Sequence, residues 1–271
     1  VALWRMDQRF EHIDLELLLG EGVESGWFHD NRLGRALDHI DAVGTDTLLS
    51  DIVLRYLGES EAGPFSVHLD HTSLSLYGVY DTDQQPTPAH GFSKDHRPDL
   101  KQLVFGMSLH GAVGIPLTMS LHSGNTSDHV ANRDHLSRLA ELLPDPDEVT
   151  VVADCKLVDG ETLGRLTGAG FHFVSLVPKT FGVRQELIDK AWEAAPDMTD
   201  WPVLASKPGG KKSDPMRHYR GRSFSGTIAL QLSPDGEGGP TASAEPMRCV
   251  VVHSHALAER FDKALDGKLA R

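Results

Sequence analysis

Two aspartates are the candidate catalytic residues of this chain. Asp70 lies near the middle of VHLDHTSLSLYG (residues 67–78), and Asp154 directly follows the apolar run VTVVA (residues 149–153). Carboxylate oxygens are preferred ligands of hard divalent cations such as Mg²⁺. Two such ions can activate water or a 3′-hydroxyl for displacement at a phosphodiester. The pair therefore predicts a catalytic site for Mg²⁺ or Mn²⁺, with Asp70 and Asp154 as metal ligands.

The sequence context of Asp70 supports this hypothesis. A carboxylate in a buried sheet is costly unless it is paired, hydrogen-bonded or bound to a metal, and the segment around Asp70 has the composition of a central strand. The alternative is that both aspartates are structural residues at strand ends. Two carboxylates are also few for a metal-dependent site, so a third acidic residue is expected.

The elements that must position this pair follow from hydrophobic periodicity. Alternating side chains predict a first strand over residues 67–78. Gly111 and Gly114 mark a hairpin between the next two strands. The predicted order is strands 67–78, 103–110 and 115–121, helix 130–143, strand 149–153, helix 161–166 and strand 171–177. This β-β-β-α-β-α-β order resembles the ribonuclease-H-like fold, which implies an α/β mixed sheet with the first and fourth strands side by side.

Three regions are predicted. Residues 1–62 form an N-terminal helical region, because apolar residues recur at helical spacing in three segments separated by glycines. Residues 63–180 form the ribonuclease-H-like core. Residues 181–271 contain a helix near 185–193 and strands 224–232 and 247–253, with a turn at 236–240. An amphipathic helix pattern begins near Ala256 and continues to Arg271, so we expect a truncated chain.

Composition excludes several classes of protein. No apolar run reaches the roughly 18 residues of a membrane helix, which predicts no membrane partner and a cytoplasmic location. The two cysteines, Cys155 and Cys249, do not suggest a disulfide framework or a cysteine zinc site. The net charge of −13 argues at first against nucleic-acid binding.

The distribution of charge weakens that objection. Basic residues concentrate at 207–222, and such a cluster can neutralise phosphates locally. A second polar segment, SKDHRPDLKQ (residues 93–102), precedes the second strand. On composition alone, a solvated loop is the simpler explanation of the first segment. For the second segment, an internal salt-bridge network with Asp95 and Asp99 explains the charges as well as phosphate contact does. The residues predicted to bind DNA are Lys94, Arg97, Lys101, Lys211, Lys212, Arg217 and Arg220.

Several motifs together resemble a known family. They are NRLGRALD (residues 31–38), HLDHTSLSLYG (68–78), GFSKDHRPDLKQLVFGMSLHG (91–111), LHSGNTSD (121–128) and VVADCKL (151–157). Together they are similar to bacterial insertion-sequence transposases of the Asp-Asp-Glu (DDE) type. The subgroup that they resemble carries a β-rich insertion between the second Asp and the Glu, and the similarity extends over nearly the whole chain.

The resemblance implies DNA transposition, a form of DNA recombination: metal-dependent strand cleavage and transfer at element ends. DNA ends and target DNA would be the partners, and the full-length protein would be a homodimer. Asp70 and Asp154 match the first two metal-binding acids, and residues 181–271 match part of the β-rich insertion. The third acid has no counterpart, since Glu186 and Glu193 come too early and Glu259 lies within the segment resembling the insertion.

Three functional hypotheses follow from this pattern. The first is a transposase, of which this chain would be a fragment that neither cleaves nor joins DNA on its own. The second is a catalytically inactive DNA-binding remnant of a transposase. The third is a general nuclease with the same core.

Overall fold

The five-stranded sheet of this protein is mixed, and its strand order places the first and fourth strands side by side. The computed structural model describes residues 2–59, 63–143, 145–209, 216–232, 241–254 and 258. The described helices and strands in chain order are α1 (Met6–Phe10), α2 (Leu15–Leu19), α3 (Asp30–Val43), α4 (Thr45–Glu59), β1 (Phe65–Leu76), β2 (Lys101–His110), β3 (Pro116–Ser123), α5 (Asp128–Leu142), β4 (Val149–Val152), α6 (Gly160–Gly168), β5 (His172–Val174), α7 (Gly182–Ala194), β6 (Val203–Lys207), β7 (Arg217–Leu232) and β8 (Thr241–Ser254).

The strand order of this sheet is β3-β2-β1-β4-β5. Strands β1, β2 and β3 pair antiparallel, whereas β4 pairs parallel with both β1 and β5. The parallel strands are joined through helices, as such crossovers require. The predicted α/β fold and the predicted contact between the first and fourth strands are therefore confirmed.

One hydrophobic core holds the sheet, its helices and part of the second sheet together. It contains Val67 and Val151 from the paired strands β1 and β4, and Leu139 from α5. Val53 of α4 and Leu230 of β7 belong to the same core. Residues from all three predicted regions thus pack against one another, and the boundaries at 62 and 180 stay predictions.

The N-terminal helices agree with the predicted pattern in part. The first predicted helix is two short helices, because Asp14 caps α2 by accepting a hydrogen bond from the backbone N–H of Leu17. Helix α3 is capped by His29, whose side chain accepts a hydrogen bond from the backbone N–H of Arg32. Gly44 ends α3 with a φ of 92°, a backbone conformation that glycine adopts at little cost.

The second described sheet has the order β6-β7-β8, with both pairs antiparallel. Strand β6 was not predicted, and β7 begins seven residues before the predicted residue 224. The predicted turn at 236–240 lies outside the described residues, as does most of the helix predicted from Ala256. Within the described ranges, no helix has the length and apolar character needed to cross a membrane.

Candidate functional site

Asp70 lies on the exposed face of β1. Side chains on this strand alternate, so that Val67, Leu69 and His71 are buried while Asp70 is exposed. The Asp70 carboxylate accepts a hydrogen bond of 2.8 Å from the backbone N–H of His71 through Oδ1. The expectation of a carboxylate inside a buried sheet is therefore wrong, and solvent removes the burial cost that the expectation invoked.

Asp154 follows the end of β4 at the same level as Asp70. The ladder between the two parallel strands ends at the pair His68 and Val152, and Asp70 and Asp154 are each two residues further along their chains. Neighbouring strands lie roughly 4.8 Å apart. Asp154 then caps the 3₁₀ turn Cys155–Leu157 by accepting a 2.9 Å hydrogen bond from the N–H of Lys156. The fold thus brings the two predicted acids to one end of the β1–β4 pair.

Both aspartates line the same small cleft, which we call the acidic cleft. Asp128, in the first turn of α5, contributes a third carboxylate, and Lys94 and Lys156 contribute two ammonium groups. The remaining lining residues are Leu69, His71, Asn132 and Ala153. The cleft therefore combines anionic groups that attract a cation with cationic groups that attract a phosphate.

The cleft fits a divalent cation in part. Asp70 and Asp154 have the oxygen ligands that Mg²⁺ prefers, and each uses Oδ1 in a backbone hydrogen bond. Within the described residues, however, no group of three His, Cys, Asp or Glu side chains is placed to hold a metal ion. Asp128 consequently does not complete a three-carboxylate site, and the third acid expected from the sequence has no counterpart among these residues.

The three cations of the 93–102 segment occupy different environments. Arg97 binds both oxygens of Asp99, with nitrogen–oxygen distances of 2.8 and 2.6 Å, and this hydrogen bonding lowers the pKa of Asp99. Lys101 donates to Asp81 and to the carbonyls of residues 79 and 80. Lys94 donates from Nζ to the carbonyl oxygen of His71 and lines the acidic cleft. Internal pairing thus accounts for Arg97 and Lys101, and Lys94 alone of these three lines the cleft.

The basic residues predicted to bind DNA at 207–222 do not form one continuous described loop. Lys211 and Lys212 lie outside the described residues. Arg217 opens β7 opposite Lys207 of β6, so both lie in paired strands rather than in a loop. The Arg220 guanidinium donates to the carbonyl oxygens of Thr199 and Trp201 at 3.0 and 2.7 Å. Arg220 therefore tethers the turn that precedes β6, and its role in DNA binding stays a prediction.

Asn132 and Lys156 are cleft residues that the sequence analysis missed. Asn132 is 3% exposed, and its side-chain amide donates a 3.0 Å hydrogen bond to the carbonyl oxygen of Lys156. The spacing of Asp128 and Asn132, one helical turn apart, places both on one face of α5 and was a signal available in the sequence. Lys156 follows Asp154 by two residues, but nothing in its local pattern distinguished it from other lysines.

A histidine cluster lies behind the cleft on the buried side of the sheet. The rings of His71 and His135 are 5.7 Å apart, and His122 lies 6.3 Å from His71. Burial lowers the pKa of His71 and of His122, and it lowers the pKa of His135 to about 3. His68, three residues before His71 on the same strand, is exposed, whereas His71 is buried. The cluster is therefore neutral near pH 7.

Comparison with known proteins gives one match, at the N-terminus. Residues 1–54 match the model of a domain of unknown function, DUF4277. This domain is frequently found in transposases but is not specific to them. No curated protein matches the chain. The match covers α1 to α3 and part of α4, and it does not include the acidic cleft.

Proposed function

We propose that this chain is part of a DNA transposase of the Asp-Asp-Glu type, which cleaves and transfers DNA strands at the ends of an insertion sequence. One observation carries the proposal: Asp70 and Asp154 each lie two residues beyond the last pair of the parallel β1–β4 ladder, in a sheet of order β3-β2-β1-β4-β5. Both carboxylates line one cleft. The N-terminal match to a domain frequently found in transposases supports the same function independently.

In this proposal Asp70 and Asp154 would hold Mg²⁺ or Mn²⁺. Such an ion stabilises charge on the phosphate and helps to activate the attacking oxygen. The chain's own contribution is orientation, because each carboxylate is fixed by a backbone hydrogen bond through Oδ1. Exposure of both aspartates leaves the cleft accessible to a DNA backbone, and Lys94 and Lys156 offset the negative charge that repels a phosphate.

The second candidate is the DNA-binding remnant that lacks catalysis. It is favoured by one observation: within the described residues, no third carboxylate completes a metal site with Asp70 and Asp154. Metal-assisted displacement depends on ions held in fixed geometry, so an incomplete ligand set predicts loss of most of the rate. The two candidates share the DNA partner and differ in chemistry.

Metal binding tests the site without requiring activity. Mn²⁺ affinity, measured by water-proton relaxation, should fall by about tenfold or more in Asp70→Asn and in Asp154→Asn, because each change removes a charged oxygen ligand. Asp147→Asn is the matched control: Asp147 is an exposed aspartate in the 3₁₀ turn Pro146–Glu148, just before the start of β4. Equal Mn²⁺ affinity in all four proteins would refute the metal site.

Strand cleavage then separates the two candidates. The substrate is DNA carrying the element's own ends. The proteins are the 271-residue chain, a protein extended to the natural stop codon, and the Asp70→Asn and Asp154→Asn variants of each. Cleavage by the extended protein that is lost on Asp70→Asn or Asp154→Asn supports the transposase. DNA binding without cleavage by any of these proteins supports the remnant, and absence of DNA binding by the extended protein contradicts both.

A further inference from the structure

Lys156 stands out in the acidic cleft because side chains fix its backbone on both sides. Its N–H donates to Oδ1 of Asp154 at 2.9 Å, and its carbonyl oxygen accepts from Nδ2 of Asn132 at 3.0 Å. The first tether comes from Asp154, two residues after the end of β4, and the second comes from α5. The backbone of Lys156 is therefore held relative to both Asp154 and the helix that carries Asp128.

The second tether is buried and specific. Asn132 is 3% exposed, and a buried amide is retained at little cost only when its hydrogen bonds are made. Asn132 also lies one helical turn after Asp128 on α5. The single hydrogen bond from Asn132 to Lys156 consequently links the start of α5 to the turn that carries Asp154.

The ammonium group of Lys156 differs from the charged groups of Lys94, Arg97 and Lys101 in having no acceptor within the described residues. Asp99 pairs with Arg97, Asp81 pairs with Lys101, and a main-chain carbonyl accepts from Lys94. For Lys156, which is exposed, the described residues provide no ion pair. A held backbone with an unpaired ammonium group suits a ligand-binding lysine, because the charge is available and the flexible side chain starts from a defined point beside the cleft.

We infer that Lys156 binds a DNA phosphate in the acidic cleft and that Asn132 is its positioning residue. The inference rests on the proposed function, since it concerns how the same cleft receives its substrate. A phosphodiester that approaches Asp70 and Asp154 meets like charge. An ammonium group whose backbone is held two residues after Asp154 offsets this repulsion and favours a phosphate that lies beside the carboxylates.

A double-mutant cycle between the protein and one phosphate tests this inference. DNA ends are prepared with either a normal phosphate or a neutral methylphosphonate at the cleavage position, and the dissociation constant of each is measured for the 271-residue chain and for Lys156→Gln. In Lys156→Gln, loss of one charged contact should weaken binding of the normal DNA by about tenfold. It should also lower the magnitude of the slope of the logarithm of the binding constant against the logarithm of salt concentration by about one, as expected for one phosphate contact. The methylphosphonate should weaken the parent similarly but change Lys156→Gln less than about twofold.

Two further variants make the cycle specific. Lys190→Gln removes an exposed lysine of α7 that pairs with Glu186 and should retain the parent's sensitivity to methylphosphonate. Asn132→Leu keeps roughly the size of the side chain, adds no charge to the cleft and removes the donor to the Lys156 carbonyl. It should therefore lose that sensitivity although Lys156 is present, and melting temperature and circular dichroism establish that the variant is folded.

The outcomes separate this inference from the proposed function. If the 271-residue chain does not bind DNA ends at all, the inference about Lys156 fails, whereas the proposed function fails only if the extended protein does not bind them either. If the chain binds DNA and the effects of Lys156→Gln and methylphosphonate are additive, the phosphate contact is overturned while DNA binding stands. Retained coupling in Lys156→Arg, which preserves the charge, is expected. Retained coupling in Asn132→Leu would overturn the positioning role.

Discussion

Protonation of His135 should make this protein acid-labile. His135 lies on α5 and is fully buried, with Nδ1 2.9 Å from the Ser120 hydroxyl. Burial is the main cause of its lowered pKa, about 3 in the fold against 6.5 for an ordinary histidine, and the neighbouring His71 adds to the effect. Below pH 6.5 the unfolded chain therefore binds a proton at this position that the folded chain does not.

The sign and size of the effect follow from proton linkage. Stability rises with pH wherever the unfolded state binds more protons, so His135 opposes folding increasingly as pH falls from 6.5 towards 3 and contributes nothing to the pH dependence above that window. One proton corresponds to about 1.4 kcal/mol per pH unit, and the whole window to roughly 5 kcal/mol. That is a large part of the 5–15 kcal/mol by which domains are typically stable.

The assay is urea unfolding of the parent and of His135→Gln at pH 7, 6 and 5, where the free energy of unfolding is extrapolated to water. His135→Gln removes the titrating ring, so its stability should fall more slowly with acidification, by an amount approaching 1.4 kcal/mol per pH unit. His39→Gln on the exposed surface of α3 is the control and should follow the parent. Identical slopes in the parent and His135→Gln would refute the argument.

Two further predictions, each with a matched control variant, concern the stability of the fold. Gly106→Ala should destabilise the fold by about 1–3 kcal/mol, because the added Cβ would lie 2.5 Å from Nε2 of buried His71 and 2.6 Å from Oγ of Ser120. Its control is Gly34→Ala on α3, where no atom lies within 4 Å of the added Cβ; this change should be neutral or stabilising by up to about 1 kcal/mol. Urea unfolding measures both effects. Asp159 caps α6 by accepting hydrogen bonds from two backbone N–H groups, so Asp159→Ala should lower the free energy of unfolding by about 1–2 kcal/mol. Asp159→Asn keeps an acceptor oxygen and should lower it less. An equal loss in the two variants would contradict capping as the cause.

The elements of the sheet could be predicted because their signals are local. Alternation along β1, glycines at the β2–β3 hairpin and continuous apolar residues in β4 each lie within a few neighbouring residues. Strand β6 lacked such a signal, because all five of its residues are exposed and its sequence VLASK does not alternate. Its hydrogen bonding to β7, rather than its own sequence pattern, makes this segment a strand.

The partners of charged residues were less predictable. Arg97 and Lys101 bind Asp99 and Asp81, and Arg220 binds main-chain carbonyls. A basic residue in a sequence is equally compatible with a phosphate and with an internal acceptor. The choice depends on which oxygen atoms the fold brings within about 3 Å of it.

The sequence by itself determined the α/β class and the succession of strands and helices along the chain, which follow from periodicity, and residue type singled out Asp70 and Asp154. The contact between the first and fourth strands came from the resemblance to the ribonuclease-H-like fold, not from periodicity. Tertiary structure decided which face of β1 is buried: alternation defines two faces, but only packing by helices such as α5 determines that His71 is covered and Asp70 is not. It also decided that Asp70 and Asp154 share one level of the sheet. Strand register is set by contacts between residues far apart in the chain, and no local pattern contains that information.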